Sequence, residues 1–182
     1  MRDSLAATAL VGVALTVALT SCTTPDTSPV PTTAEPPWAC DGVPRTSVEL
    51  LMGGPIAVDQ GGGWEGSTMV CTIHGARGGG SSMTVTWDST RGRSGGDEIA
   101  AAVGGLEGAE EVISPAPGSG FVKEREDGAV AWWVCESTMV IVRPGLVDVD
   151  GRNLVDDTRN LLVSILPWAC DGEPVPSADT SP

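Results

Sequence analysis

The sequence predicts an α+β domain, an antiparallel sheet of about five strands with helices packed on it. Three observations carry this prediction. Segments 67–74 and 82–88 alternate apolar and polar residues with a period of two, the mark of half-buried strands. Three further apolar runs follow one another at hairpin spacing between 121 and 143. One long stretch, 153–166, places Leu154, Leu161, Leu162 and Ile165 on a single helical face. Few helices and consecutive strands favour α+β over an alternating α/β order.

Taken in order, Thr46 and Glu49 fit a capping box ahead of a short helix over 47–52, and Gly53-Gly54 fits its stop. The Gly61-Gly62-Gly63 cluster is a loop. In 67–74 Met69, Cys71 and Ile73 share a face, and in 82–88 Met83, Val85 and Trp87 do; 75–81 suits a loose hairpin loop. A helix is expected over 97–103, ended by Gly104-Gly105, and 106–120 reads as irregular or weakly strand-forming. The strands 121–126 and 129–136 flank Asp127-Gly128, a strong short hairpin signal, and 138–143 completes a three-strand meander. In the final helix Asp148 or Asp150 stands near the N-cap, Asp156 and Asp157 favour the first turn, and Pro167 is the expected end.

The chain has 182 residues and a formal net charge of −14, which disfavours any nucleic-acid partner because phosphates would be repelled. With one Phe and no Tyr, the six Trp and the Val/Ile/Leu set must fill the core. Behind Arg2, whose charge Asp3 offsets, residues 5–20 are apolar and uncharged. That run is short against the roughly 20 residues of a spanning helix and suits a signal-peptide core. It ends in Leu19-Thr20-Ser21-Cys22, a lipobox: small residues let the signal peptidase close on the scissile bond, and the Cys22 thiol takes the diacylglycerol. The expected organisation is a leader over 1–21, then acylated Cys22 with a Thr/Pro-rich tether to 37. A single domain over 38–170 and a disordered tail over 171–182 follow. A tether that buries nothing would lift the domain roughly 45–50 Å off the bilayer at about 3.1 Å per residue.

Cysteine arithmetic agrees. Of five Cys, acylation of Cys22 leaves Cys40, Cys71, Cys135 and Cys170, an even set suited to an oxidising compartment. Sequence-local pairing joins Cys40 to Cys71 and Cys135 to Cys170, closing loops of about 30–36 residues that contribute roughly 3–4 kcal/mol each. The two other pairings stay open, one of them containing a Cys40–Cys170 bridge. The string Trp-Ala-Cys-Asp-Gly occurs at both 38–42 and 168–172, too short for a structural repeat.

The catalytic inventory is thin. His74, the only His, stands at a strand end with no G-x-S-x-G elbow, and reads as an ordinary strand-end side chain. The Gly clusters at 61–63 and 78–80 lack a P-loop's Lys-Ser/Thr, and the only Lys is Lys123. The acidic string from Asp148 to Asn153 misses the Gly and Glu of an EF-hand, since Asn153 and Arg159 fall where they belong; turn and cap duty is expected of Asp148, Asp150 and Asn153. Glu107, Glu110 and Glu111 read as a solvated face. Trp132-Trp133 points one indole to each side of its strand. One enters the core, and the other is available to line a ligand groove or partner surface. No catalytic residue, metal or cofactor is assigned.

The lipobox, the Thr/Pro tether, the spacing from Cys40 to Pro44, and the Leu50-Leu51-Met52-Gly53-Gly54 helix end form a set. With the Cys71 strand and the closing Asp156-Asp157…Leu161-Leu162 helix, it resembles small actinobacterial cell-envelope lipoproteins with a domain of unknown function. The resemblance implies a PsbP-like α+β sandwich facing outward from the cytoplasmic membrane, and carries over no catalytic residues. Cys170 and the repeated Trp-Ala-Cys-Asp-Gly stand outside the pattern. The expected function is a non-enzymatic, membrane-anchored extracytoplasmic lipoprotein. It would meet the bilayer through Cys22 and bind an envelope protein partner or a small ligand. An enzyme or enzyme accessory acting on envelope components is the alternative, and a purely structural surface protein a third reading.

Overall fold

The structure, a computed structural model, describes residues 26–59, 63–76, 80–89, 106–147 and 149–178. A strap over 26–37 leads into β1 (Trp38–Cys40) and β2 (Val43–Pro44), which pair as a small ribbon. Helix α1 (Arg45–Met52) follows, then β3 (Ile56–Val58), β4 (Gly63–Glu65), β5 (Thr68–Gly75), β6 (Ser82–Asp88) and β7 (Ala109–Glu111). After these come β8 (Ser119–Arg125), β9 (Gly128–Cys135), β10 (Thr138–Gly145) and helix α2 (Leu154–Cys170). Cys22, the expected helix over 97–103, and residues 61–62, 78–79 and 148 lie outside the described residues.

The five expected strands become the middle of one antiparallel sheet, in the order β5-β6-β10-β9-β8. Among the described residues the sheet has eight strands rather than about five, because three-residue strands border it. On one border β3 and β4 lie end to end along β5, Ile56–Val58 opposite residues 73–75 and Gly63–Glu65 opposite residues 68–70. On the other, β7 pairs β8. Three residues are too few for a period of two to be visible in sequence. The turn between β8 and β9 is Glu126-Asp127, one residue earlier than expected, with Gly128 opening β9 opposite Arg125. Gly128 has φ +142°, and a Cβ there would stand 2.5 Å from the Pro144 carbonyl oxygen, so only glycine fits.

One face of the sheet carries the core. Met69, Cys71, Ile73, Met83, Val85, Val122, Ala131, Trp133, Val140 and Val142 meet Val48 and Leu51 of α1 and Leu161, Leu162, Ile165 and Leu166 of α2. Helix α1 starts at Arg45, so Thr46 is inside it and the expected capping box does not form; Pro44 occupies the N-cap with no side-chain hydrogen bond. The Gly pair ends it as expected, Gly53 at φ +73° with the Gly53 and Gly54 N–H groups donating to the Leu50 and Glu49 carbonyls. In α2 the N-cap is Asn153, not Asp148 or Asp150: its Oδ1 accepts from the Val155 and Asp156 N–H groups at 3.1 and 3.2 Å.

Pro167 does not end α2. The helix continues to Cys170 because its last turn is held from outside. Cys170 is bonded to Cys135, Trp87 Nε1 donates to the Ala169 carbonyl at 3.2 Å, and Trp168 Nε1 donates to the Gly42 carbonyl at 3.0 Å. The second bridge joins Cys40 to Cys71, with Cα atoms 6.1 Å apart against 5.8 Å for Cys135–Cys170. Of the three connectivities open to four cysteines, the structure carries the sequence-local one.

Residues 26–37 and 171–178 both make contacts with the rest of the domain. The strap is not a free tether: Val30 is 1% exposed, its N–H donates to Asp157 Oδ1 at 3.1 Å, and its carbonyl accepts from Asn160 Nδ2 at 3.0 Å. A Pro/Thr run with one Val lacks a hydrophobic pattern, yet hydrogen bonds from α2 hold it. In the tail, residues 171–178 return to the ribbon, where the Pro176 carbonyl accepts from the Gly42 N–H at 2.7 Å and the Ala178 N–H donates to Asp41 Oδ1 at 2.8 Å.

The two Trp-Ala-Cys-Asp-Gly copies touch. A Cβ on Gly42, at φ +68°, would stand 2.4 Å from the Trp168 ring. Gly42→Ala is therefore expected to lower stability by about 2–4 kcal/mol, combining left-handed strain with overpacking. Urea unfolding followed by Trp fluorescence checks this, and a change within about 0.5 kcal/mol, as for an ordinary surface site, would contradict it.

Candidate functional site

Strand register builds the first candidate. Val70 lies opposite Thr86, Thr86 opposite Ile141, Ile141 opposite Trp132, and Trp132 opposite Phe121. Alternation puts this row on the face away from the two described helices, α1 and α2. Neither Trp132 nor its row neighbours belong to the core cluster. Trp132, Ile141 and Phe121 are half-buried and Val70 is 38% exposed. Toward the β9–β10 turn, Val134 and Met139 on the same face are buried. The next row carries Thr72, Thr84, Arg143 and Lys123 around Val130, which is buried. An apolar centre with an aromatic anchor and a polar rim is the anatomy of a protein-contact surface.

Trp133 takes the opposite side, 2% exposed, with Nε1 donating to the Pro117 carbonyl at 2.9 Å. The adjacent indoles thus divide between core and outer face. Phe121, Ile141 and Val70 were not singled out from sequence, and the signal that finds them is cross-strand register, which requires the turns first. On the helix side Trp64 and Trp87 meet edge to face at 4.9 Å, and Trp64 Nε1 donates to Asp41 Oδ2 at 3.1 Å.

The second candidate is a cleft of about 970 Å³ between the β8–β9 turn and the start of α2. Glu110, Glu124, Glu126, Asp127 and Asp156 line it with Arg125 and Arg152. Several of these charges are already spoken for. Arg125 and Arg143 reach Asp127 at 3.1 and 3.2 Å, and hold its carboxyl below the usual carboxylate range. Arg159 bonds both Glu110 and Asp156. Arg152 has a side chain only 3% exposed; its Nε donates to Asp157 Oδ2 at 2.8 Å and its Nη1 to the Asp26 carbonyl at 2.7 Å. Arg152 Nη2 is buried without a partner. Sequence reasoning missed Arg152, since nothing in a charge pattern separates a buried Arg from a solvated one.

His74 Nε2 lies 3.1 Å from Asp59 Oδ2, both side chains about half exposed. Among the described residues no three His, Cys, Asp or Glu side chains are arranged to hold a metal, and no helix is long and apolar enough to cross a membrane. Asp150 is exposed and Asn153 serves as the helix cap. Comparison with known protein families, with curated proteins and with solved structures finds no match for this chain.

Proposed function

We propose that this protein is a lipoprotein anchored through acylated Cys22 on the outer face of the cytoplasmic membrane, and that its domain is a binding module for an envelope protein. One observation carries the binding role: the row of Val70, Ile141, Trp132 and Phe121 on the sheet face opposite the described helices. The Leu19-Thr20-Ser21-Cys22 leader supports the address, and two disulfides suit an oxidising compartment. The resemblance to actinobacterial envelope lipoproteins with a PsbP-like domain is in keeping with an antiparallel sheet on which the two described helices pack. A second reading, an enzyme or accessory acting on envelope components, draws on the carboxylates gathered in the cleft; the ion pairs at Asp127, Glu110 and Asp156 count against it.

Two variants test the proposal. Cys22→Ala is expected to leave the protein unprocessed or released from membranes. Trp132→Ala is expected to stay on membranes, fold normally and lose its co-purifying partner, read by native mass spectrometry of material extracted from the host. Full membrane retention and processing of Cys22→Ala contradicts the anchor. An unchanged partner mass on Trp132→Ala contradicts the binding surface.

A further inference from the structure

We infer that the acylated protein does not hang from a long tether but stands on the outer leaflet, with the end of the domain that carries Asp26, Leu146 and the β8–β9 turn against the phospholipid surface. This rests on the reading of Cys22 as the lipid anchor. Chain length is the first argument. The strap is docked from Asp26 onward, so only Thr23-Thr24-Pro25 separates the acylated residue from the domain. Four residue steps reach at most roughly 14 Å, against the 45–50 Å of a free tether.

The docking has a specific latch. Arg152 Nη1 donates to the Asp26 carbonyl, and Asp157 accepts from Arg152 with one oxygen and from the Val30 N–H with the other. Asn160 holds the Val30 carbonyl, and Thr27 packs at Gly151, where a Cβ would stand 3.2 Å from its methyl carbon. All these groups belong to the N-terminal half of α2 or the turn before it.

The second argument is what else lies at that end. Leu146 is 67% exposed and adopts φ +53°, a conformation that L side chains disfavour, while its N–H donates to the Asp127 carbonyl at 2.6 Å. It shares the cleft rim with Arg152 and Leu154. A strained position that would suit Gly or Asn instead presents an isobutyl group to the outside. Facing the acyl boundary, Leu146 favours the docked state on the order of tenfold. Glu126 and Asp127 stand beside it, so the matching surface is zwitterionic; anionic headgroups within a Debye length of about 10 Å would repel this end.

The orientation has a functional corollary. Helix α2 runs away from the bilayer for about 25 Å, carrying the Cys135–Cys170 bridge and the Glu136-Ser137 turn outward, and the Trp132 face is left open to the side.

The test uses native acylated protein in phosphatidylcholine vesicles and hydrogen–deuterium exchange. The comparison is a variant with about 15 Gly/Ser residues inserted after Thr24, which adds a reach of roughly 20 Å. Residues 125–128 and 145–154 are expected to exchange several-fold more slowly in the native protein than in the lengthened one, and residues 136–138 equally in both. Leu146→Asp is expected to lose much of this protection while remaining folded and vesicle-bound. Equal exchange of native and lengthened proteins, with Cys22 shown by mass to be acylated in each, overturns the inference alone. A Cys22 that carries no lipid overturns the inference and the anchor together.

Discussion

Removing both disulfides is expected to unfold the domain at ambient temperature. The bridges span 31 and 35 residues. In the chain-entropy account each contributes about 3–4 kcal/mol, or about 7 kcal/mol together, against a net stability of about 5–15 kcal/mol for a typical domain. Their positions sharpen the expectation. Cys40–Cys71 fastens the β1–β2 ribbon to β5, and Cys135–Cys170 fastens the end of α2 to β9. The second is expected to matter more, because it closes the helical turn that Pro167 weakens. Cys40→Ala/Cys71→Ala should still melt cooperatively, Cys135→Ala/Cys170→Ala should melt lower, and the fourfold variant should show no cooperative transition in near-ultraviolet circular dichroism. A fourfold variant that loses less than about 2 kcal/mol would show that the core alone holds the fold.

Arg152→Ala is the second large effect, expected to lower stability by about 3–5 kcal/mol, the usual consequence of stranding one partner of a buried pair. Arg152 and Asp157 side chains are 3% and 5% exposed. Without the guanidinium, the Asp157 carboxylate keeps only the Val30 N–H, and the Asp26 carbonyl loses its donor. Asn160→Ala provides the contrast, since it removes one neutral hydrogen bond to the strap and should change stability by about 1 kcal/mol. Urea unfolding of both variants measures the difference. Protease cleavage within 26–37 should rise sharply for Arg152→Ala and modestly for Asn160→Ala. Equal small losses in both would mean that the buried charge pair is not what holds the strap.

Legibility in sequence followed the length of the signal. Segments 67–74 and 82–88 carry enough alternation to reveal strand and inward face together, and Met69, Cys71, Ile73, Met83 and Val85 are all buried. The meander was readable because Gly128 is required by its surroundings, even though the turn falls one residue earlier. Strands β3 and β4 were not readable, because each pairs only because a longer strand lies beside it, whereas β7 falls in 106–120, which reads as irregular or weakly strand-forming. The strap shows the same limit: one Val in a Pro/Thr run carries no periodicity, and its burial depends on Asp157 and Asn160 more than 120 residues away. The repeated Trp-Ala-Cys is strand at 38–40 and helix at 168–170, so local preference yields there to the surrounding fold. For the candidate sites, alternation separated Trp132 from Trp133, whereas the Arg152 latch needed three dimensions.

The borders of the sheet carry one more consequence. On one side two three-residue pieces, Ile56–Val58 and Gly63–Glu65, lie along β5; on the other β7 is three residues long and carries Glu110 and Glu111. Among the described residues, neither border offers a long run along which a neighbouring molecule could zip up its backbone. A side-by-side encounter therefore meets, among the described residues, only three-residue templates for an added strand.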